Sequence, residues 1–586
     1  MRRALPAAAL ALVCMLVLAG CDLKFSLGFG TGSDGSFSGS ELTVPVLFAS
    51  GEKGGVTSQR ITADSADGGD LSIDITENDV SGVDPVTQSA TWTAVTAATL
   101  LTGARPDTAY TFGFDARIAT PAAGAVTAVG VLALYYGTEV QPGVALTGGV
   151  TPLGAVSPVA GLPEQVSAAI EAGGIDTILV PAGQRTAVDA EGTAVDLDQL
   201  AATGGMTITE VADIASAYAV MTGEDLPEAV FPTPPLSPSA LPTAEDTSTA
   251  PRAVTAAVDD ALERARSSLD TAPESTLADR ARAAVARSEQ LRDEGDAAGA
   301  WTAASTAADA AAAAAASQLS ATDAAALAEA ASGDADTVLG ELSVAPSTLD
   351  DADPVLAAVG WAAEARALAG QAQAFLAADA DPSLAPAGLT SAALASSAVQ
   401  TAEALTNLRS EIAGAGTIAS DADLDGLASL LRRAAIAATD AYDARRGDDP
   451  VAADDLNGLR TRALEVARDE LGARADEGGP WVSLGLSASA FVRSSAALSA
   501  QSAVRVPDGV DPSDAIGQRI AIADEYTVRA VDALTATGAT VPLLRGALSD
   551  AAAAAASAPV PGASGAFTTP FLRARVLAFA GGVQRD

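Results

Sequence analysis

Few side chains in this 586-residue chain could carry out chemistry. The chain has no histidine, its only cysteines are Cys14 and Cys21, and its only lysines are Lys24 and Lys53. Without histidine there is no Ser-His-Asp or Cys-His arrangement and no imidazole ligand for a metal. Because no lysine follows residue 53, the phosphate-binding pattern GxxxxGK[ST] is missing, and the sequence gives no indication of that type of ATPase. The side chains that remain for chemistry are carboxylates, arginines, tyrosines and hydroxyls.

The first residues, MRRALPAAALALVCMLVLAGC, account for both cysteines. Two arginines precede an apolar stretch that is short for a membrane span, which is typical of a secretory signal. The ending LAGC resembles the lipobox of prokaryotic lipoproteins. That resemblance implies cleavage before Cys21, lipid attachment to its sulfur and loss of Cys14. A plain signal peptide or an N-terminal anchor helix is the alternative interpretation.

Composition divides the rest of the chain into four segments. A Gly- and Ser-rich tether (21–41) follows the signal peptide (1–20), and a proline-rich linker (227–251) separates two folded regions. Strand-like runs alternate with helical patterns at 85–103, 124–137, 162–173 and 211–223, which predicts an α+β domain over 42–226. Residues 252–586 are rich in alanine and carry apolar stripes at helical spacing. Glycine or proline breaks, among them those near residues 333, 447 and 508, then predict an all-α domain of nine or ten helices.

The net charge of −41 disfavours nucleic acid as a partner, since phosphates would be repelled. Apart from the signal, no segment has the uninterrupted apolar length of a membrane span. The predicted contact with the membrane is therefore the N-terminal lipid, and no cofactor or metal is predicted.

Residues 121–184 contain closely spaced turns, strands and helices. In GLPEQVSAAIEAGG (161–174), Pro163 suits the first turn of a helix and the two closing glycines suit its end. This region, with PAAG at 121–124 and VALTG at 144–148, resembles the proteolytic domain of Lon-type serine peptidases. VSGVDPVTQSATWTAVTAATLLTG (80–103) is similar to the envelope-located archaeal Lon-like proteins that lack an ATPase.

The resemblance implies a Ser–Lys dyad, in which a neutral lysine amine takes the proton of a serine hydroxyl. The serine position is occupied here by Ala122 and the lysine position by Gln165. Alanine is not a nucleophile, and the amide nitrogen of glutamine is not a base. Thr147 matches a threonine of the family, but Gly149 replaces the acidic residue that usually follows.

Other residues could in principle replace the dyad. Thr120, Ser157 and Ser167 supply hydroxyls near the turn and the helix, and Glu164 would need a raised pKa to act as a base. We expect Lys53, in the early hairpin SGEKGG, to lie away from the site.

DADLDG (421–426) matches the first half of a calcium loop, with carboxylates at Asp421, Asp423 and Asp425. The bidentate glutamate expected at the twelfth position is Arg432, so an acidic helix start explains the same residues.

The sequence therefore predicts a lipid-anchored protein of the cell envelope. Its Lon-type domain would be catalytically inactive and would serve as a binding or scaffolding module for an unidentified protein or peptide. The alternative is an active, ATP-independent Lon-like endopeptidase with an unrecognised nucleophile.

Overall fold

The computed structural model describes residues 40–65, 71–77, 83–104, 106–227, 252–412, 414–447, 449–501, 513–535, 537–557 and 563–583. The predicted signal peptide and Cys21 lie outside these residues, as do nearly all of the tether and the linker. Strand β1 begins at Ser40, one residue before the end predicted for the tether. The boundaries of those segments stay predictions.

The strands of the first domain are β1 (Ser40–Ser50), β2 (Lys53–Ser65), β3 (Ser72–Glu77), β4 (Thr108–Phe114), β5 (Val144–Leu146), β6 (Gly149–Val150), β7 (Val156–Ser157), β8 (Thr177–Pro181), β9 (Thr186–Val188), β10 (Ala194–Asp196) and β11 (Thr207–Val211). Seven of them form a mixed sheet at the centre of the domain, in the order β11-β8-β5-β1-β2-β4-β3. β1 and β2 form a long antiparallel hairpin, while β5, β8 and β11 follow in parallel on the other side of β1.

Five helices complete this domain, and four of them were predicted. They are α1 (Pro85–Thr102), α2 (Gly124–Tyr136), α3 (Leu162–Ala172), α4 (Leu197–Ala202) and α5 (Ile214–Thr222). α1 illustrates the local signals in the sequence that mark where a helix begins and ends. The Asp84 carboxylate accepts a hydrogen bond from the Val86 N–H at 2.9 Å, and Gly103 ends the helix in the left-handed conformation.

The second domain is entirely helical in the part that the structure describes, as predicted. Its thirteen α-helices are α6 (Arg252–Thr271), α7 (Thr276–Asp293), α8 (Ala297–Ala315), α9 (Ala321–Glu341), α10 (Leu349–Phe375), α11 (Ala385–Arg409), α12 (Leu424–Arg446), α13 (Leu456–Val466), α14 (Arg468–Gly478), α15 (Pro480–Gln501), α16 (Ser513–Thr535), α17 (Pro542–Ser557) and α18 (Thr568–Ala580).

The predicted number of nine or ten helices was too small, and the break predicted near Gly333 is wrong. α9 continues through Gly333, which is exposed and lies in an alanine-rich helix whose high helix propensity outweighs one glycine. Additional helices begin at the capping side chains of Ser275 and Ser320. Such caps are a weaker sequence signal than glycine or proline. The break predicted near residue 508 lies outside the described residues.

The two domains pack directly against each other. α12 lies along α1, and the Arg433 side chain donates a hydrogen bond to the Leu71 carbonyl at 3.1 Å. Apolar side chains of the sheet, of α1 and of the helical domain belong to one continuous core. The helical region is thus seated on the α/β domain.

Candidate active site

Ala122 lies in a tight turn that leads into α2. Thr120 is extended, and its hydroxyl accepts a hydrogen bond from the Ala122 N–H at 3.1 Å, which starts the 3₁₀ turn Pro121–Ala123. The Ala122 side chain is completely buried in an apolar cluster that also contains Leu162 and Val166 of α3. The turn therefore points its methyl group at the helix that carries Gln165.

α3 begins where the chain packs tightly against β1. Gly161 precedes the helix in the left-handed conformation, and a β-carbon there would lie 2.5 Å from the Ala49 side chain, so only glycine fits. Pro163 occupies the first turn, as the sequence predicted. This start of α3 places Gln165 in the first turn of the helix, with its side chain facing the interior.

Thr147 connects the two dyad positions. The backbone N–H of the next residue, Gly148, donates to the Ala122 carbonyl at 3.0 Å. The Thr147 hydroxyl donates to Oε1 of Gln165 at 2.6 Å, and Nε2 of Gln165 donates to the Ala160 carbonyl at 3.1 Å. The structure thus brings Ala122, Thr147 and Gln165 together from three separate elements. We call these three residues the closed dyad site.

The closed dyad site is neutral and sealed. The exposed fraction of each of its three side chains is 0 %. The Gln165 amide uses both its oxygen and its nitrogen in hydrogen bonds to the protein, which a buried amide requires. With a methyl group in place of a hydroxyl and an amide in place of an amine, Ala122 and Gln165 supply neither the nucleophile nor the general base of a Ser–Lys dyad, and the one hydroxyl of the site, on Thr147, donates to the Gln165 amide.

The neighbouring hydroxyls are engaged in local structure. Thr120 caps its own turn, and the Ser167 hydroxyl donates back to the Pro163 carbonyl at 2.8 Å. Ser157 is partly buried in β7, where its hydroxyl packs against Gly149. Glu164 accepts a hydrogen bond from the Ala190 N–H at 2.7 Å and thereby ties α3 to the β9–β10 hairpin.

The expected position of Lys53 was wrong. The tip of the β1–β2 hairpin packs on the first turn of α3, so closely that a β-carbon on Gly54 would lie 1.9 Å from the Glu164 carbonyl oxygen. Long-range packing of this kind leaves no signal in the local sequence. The Lys53 side chain itself is exposed, whereas Gln165 is buried.

The sequence analysis did not identify Gln184, whose side chain supports the segment beside the site. The side-chain amide of Gln184 accepts from the Val159 N–H and donates to the Val159 carbonyl, both at 2.9 Å. It holds the segment that precedes α3 in the manner of a neighbouring strand. Gln184 lies in a loop after β8, where no periodic pattern distinguishes it from other polar residues.

The calcium-like segment forms a helix start. Asp423 accepts a hydrogen bond from the Gly426 N–H at 2.9 Å and caps α12. Across the described ranges, no group of three or more acidic or cysteine side chains is arranged to hold a metal ion.

Comparison with known families agrees with this architecture. Residues 118–216 match the model of the Lon protease (S16) C-terminal proteolytic domain, and this range contains all three residues of the closed dyad site. The chain therefore contains a Lon-type proteolytic domain, followed by a helical domain outside the matched range. No curated protein matches the chain.

Proposed function

We propose that this protein is a lipid-anchored component of the cell envelope whose Lon-type domain does not cleave peptide bonds. In this proposal the domain serves as a binding or scaffolding module. The observation that carries it is the Gln165 amide, which is fully buried and hydrogen-bonded to Thr147 beside the methyl group of Ala122.

The two chemical groups that a Ser–Lys dyad requires are both missing at the dyad positions. A Ser–Lys dyad needs a hydroxyl to attack the substrate carbonyl and an amine to take its proton. Loss of either member of such a unit removes several orders of magnitude of rate, and here both are replaced. Burial adds a second barrier, because a peptide would have to open the apolar cluster around Ala122 to reach the site.

The helical domain supports a scaffolding role. It packs on the α/β domain through α1 and α12, so the two domains can present a single surface to a partner. Among the described helices, none has the length and apolar character needed to cross a membrane. Attachment in this proposal is through lipid on Cys21.

Activity is tested with the purified chain, a fluorophosphonate probe and labelled casein. We expect no covalent adduct and no cleavage. An adduct on a hydroxyl together with casein turnover would establish the alternative, an active Lon-like endopeptidase with an unrecognised nucleophile. The double variant Ala122→Ser/Gln165→Lys, compared with each single variant, separates the two barriers. Labelling of the double variant alone would assign the inactivity to the replaced side chains rather than to burial.

Lipid attachment is tested by growing expressing cells with radioactive palmitate. We expect label on the wild-type protein and on Cys14→Ser, which is a matched control because Cys14 is removed with the signal. Cys21→Ser should carry no label and should leave the membrane fraction. Label retained on Cys21→Ser would refute the lipid anchor.

A further inference from the structure

Arg575 is buried where the two domains meet, and no carboxylate of the described residues forms an ion pair with it. Arg575 lies on α18, which packs against α1 of the Lon-type domain and against α16 of the helical domain. Its exposed fraction is 4 %, and its Nε has no hydrogen-bond partner. Within the described residues its one assigned contact is with the Phe571 ring, whose centroid lies 5.6 Å from the guanidinium carbon.

The Arg575 guanidinium stays charged in this position. Burial lowers the pKa of Arg575 to about 10, and the nearby charge of Arg529 adds to this effect. At neutral pH the group is still protonated. A buried cation without a counter-charge is strongly unfavourable, so folded proteins nearly always pair one with an anion.

The groups around Arg575 do not supply that anion. Burial and the neighbouring Asp213 carboxylate raise the pKa of Tyr526 well above its ordinary value, so the phenol is neutral and donates to Asp213. Asp213 also caps α5 by accepting from the Ser216 N–H at 2.6 Å. Glu525 pairs with Arg529. Both carboxylates are thus engaged with other groups, and among the described residues no ion pair joins a carboxylate to Arg575.

We propose that Arg575, beside the engaged Arg529 and Tyr526, forms a binding site for a small oxyanion, either a carboxylate or a phosphate. The planar guanidinium presents parallel N–H groups that match two oxygens of such a ligand. Since α18 contacts both domains, a bound oxyanion would stabilise their junction. This site is independent of the closed dyad site and of the proposed lack of peptidase activity.

The test is the unfolding midpoint of the full chain with sodium phosphate or sodium acetate, each compared with sodium chloride at equal ionic strength. We expect at least one of the two oxyanions to raise the midpoint by about 2 °C or more beyond chloride. Arg575→Met should lose this response. Arg280→Met should keep it, because Arg280 is an exposed arginine on α7. An equal response in Arg575→Met, or no excess over chloride in the wild type, would overturn the proposal.

Two further measurements keep the proposal testable if Arg575→Met does not fold. Calorimetric titration of the wild type with phosphate and with acetate should give one saturable site for at least one of them, and its absence for both would refute the site. The chain's own carboxylates are a competing source, tested with Asp508→Asn, Asp511→Asn and Asp586→Asn. A variant among these that lowers the wild-type midpoint, without any response to added oxyanion, would assign the counter-charge to the chain itself and overturn an external ligand.

Discussion

The two domains differ in how their buried polar groups are compensated, by neutral hydrogen bonds in one case and by ion pairs in the other. The closed dyad site of the Lon-type domain is neutral: a methyl, a hydroxyl and an amide hydrogen-bonded among themselves and to the backbone. The helical domain contains a largely buried ion cluster, which we define as Asp309, Glu364, Arg460 and Arg493. The first three side chains are buried, and that of Arg493 is partly buried. Glu364 accepts from Arg493 at 2.7 Å, lies 3.1 Å from Arg460 and is bonded to Ser489, while Arg460 also pairs with Asp309.

The two sites compensate their buried polar groups by different means. The closed dyad site contains no ionised side chain, whereas the ion cluster of the helical domain contains two carboxylates and two guanidinium groups. A buried charge is tolerated when oppositely charged partners surround it, as in the ion cluster. Neutral hydrogen bonds therefore satisfy the first site, and electrostatic pairing satisfies the second.

The largest effect should come from removing the centre of the buried ion cluster. Glu364→Ala leaves the buried Arg460 and the partly buried Arg493 without their shared carboxylate, which should lower the free energy of unfolding by about 3–5 kcal/mol. Burial opposes ionisation of Glu364, but Arg493 and Arg460 outweigh it and lower its pKa. Its stabilising contribution should therefore be present above the ordinary glutamate pKa and be lost under more acidic conditions.

Urea unfolding measures this change, with the exposed Glu263→Ala on α6 as the control. The control should stay within about 0.5 kcal/mol of the wild type. Equal midpoints for the two variants would show that the ion cluster does not stabilise the fold.

The next largest effect should come from placing a charge in the closed dyad site. Gln165→Lys introduces an ammonium group where the structure has only neutral groups, so its pKa should fall well below that of an exposed lysine. We expect a loss of about 3 kcal/mol at pH 7, which diminishes as the pH rises towards 10. Gln165→Met is the matched control, since its loss should not vary over this range. A pH-independent loss for the lysine variant would contradict a sealed site.

A smaller effect should follow at the junction of the domains. Tyr526 on α16 is buried and donates a hydrogen bond to Asp213 at the start of α5. Tyr526→Phe should cost about 1–2 kcal/mol, because Asp213 loses a buried donor. Thermal unfolding and amide exchange of α5 would report the change. Unaltered exchange in α5 would show that the bond does not couple the two domains.

The smallest effect concerns one half-buried carboxylate. Burial raises the pKa of Asp524 on α16 to about 6, and one of its oxygens has no hydrogen-bond partner. The folded state therefore holds the proton more tightly, so this stability is complete below about pH 4 and is lost as the pH rises through 6. Asp524→Asn should be more stable at pH 7.5 by up to about 1 kcal/mol, after solvent screening, and equal to the wild type near pH 4. A constant difference across this range would refute the shifted titration.

Sequence patterns were sufficient for most of the local structure. The helices over 85–102, 124–136 and 162–172 carry caps, proline starts and glycine ends, which are signals within a few residues of each other. β2 was expected only as the second arm of the hairpin at SGEKGG, because its run of polar residues matches neither alternation nor a buried run. The short strands β6, β7, β9 and β10 depend on pairing rather than on local preference.

The sequence by itself determined which residues stand where the family resemblance expects the dyad: PAAG places Ala122 at the serine position and GLPEQ places Gln165 at the lysine position, with Thr147 of VALTG as a neighbour. Only the tertiary structure decided that Thr147 is the partner of Gln165, that the β1–β2 hairpin covers α3, and that Arg575 is buried between domains. The physical reason is the range of each interaction. Residue types and helix ends are encoded locally, whereas burial and pairing arise between segments that lie far apart in the chain.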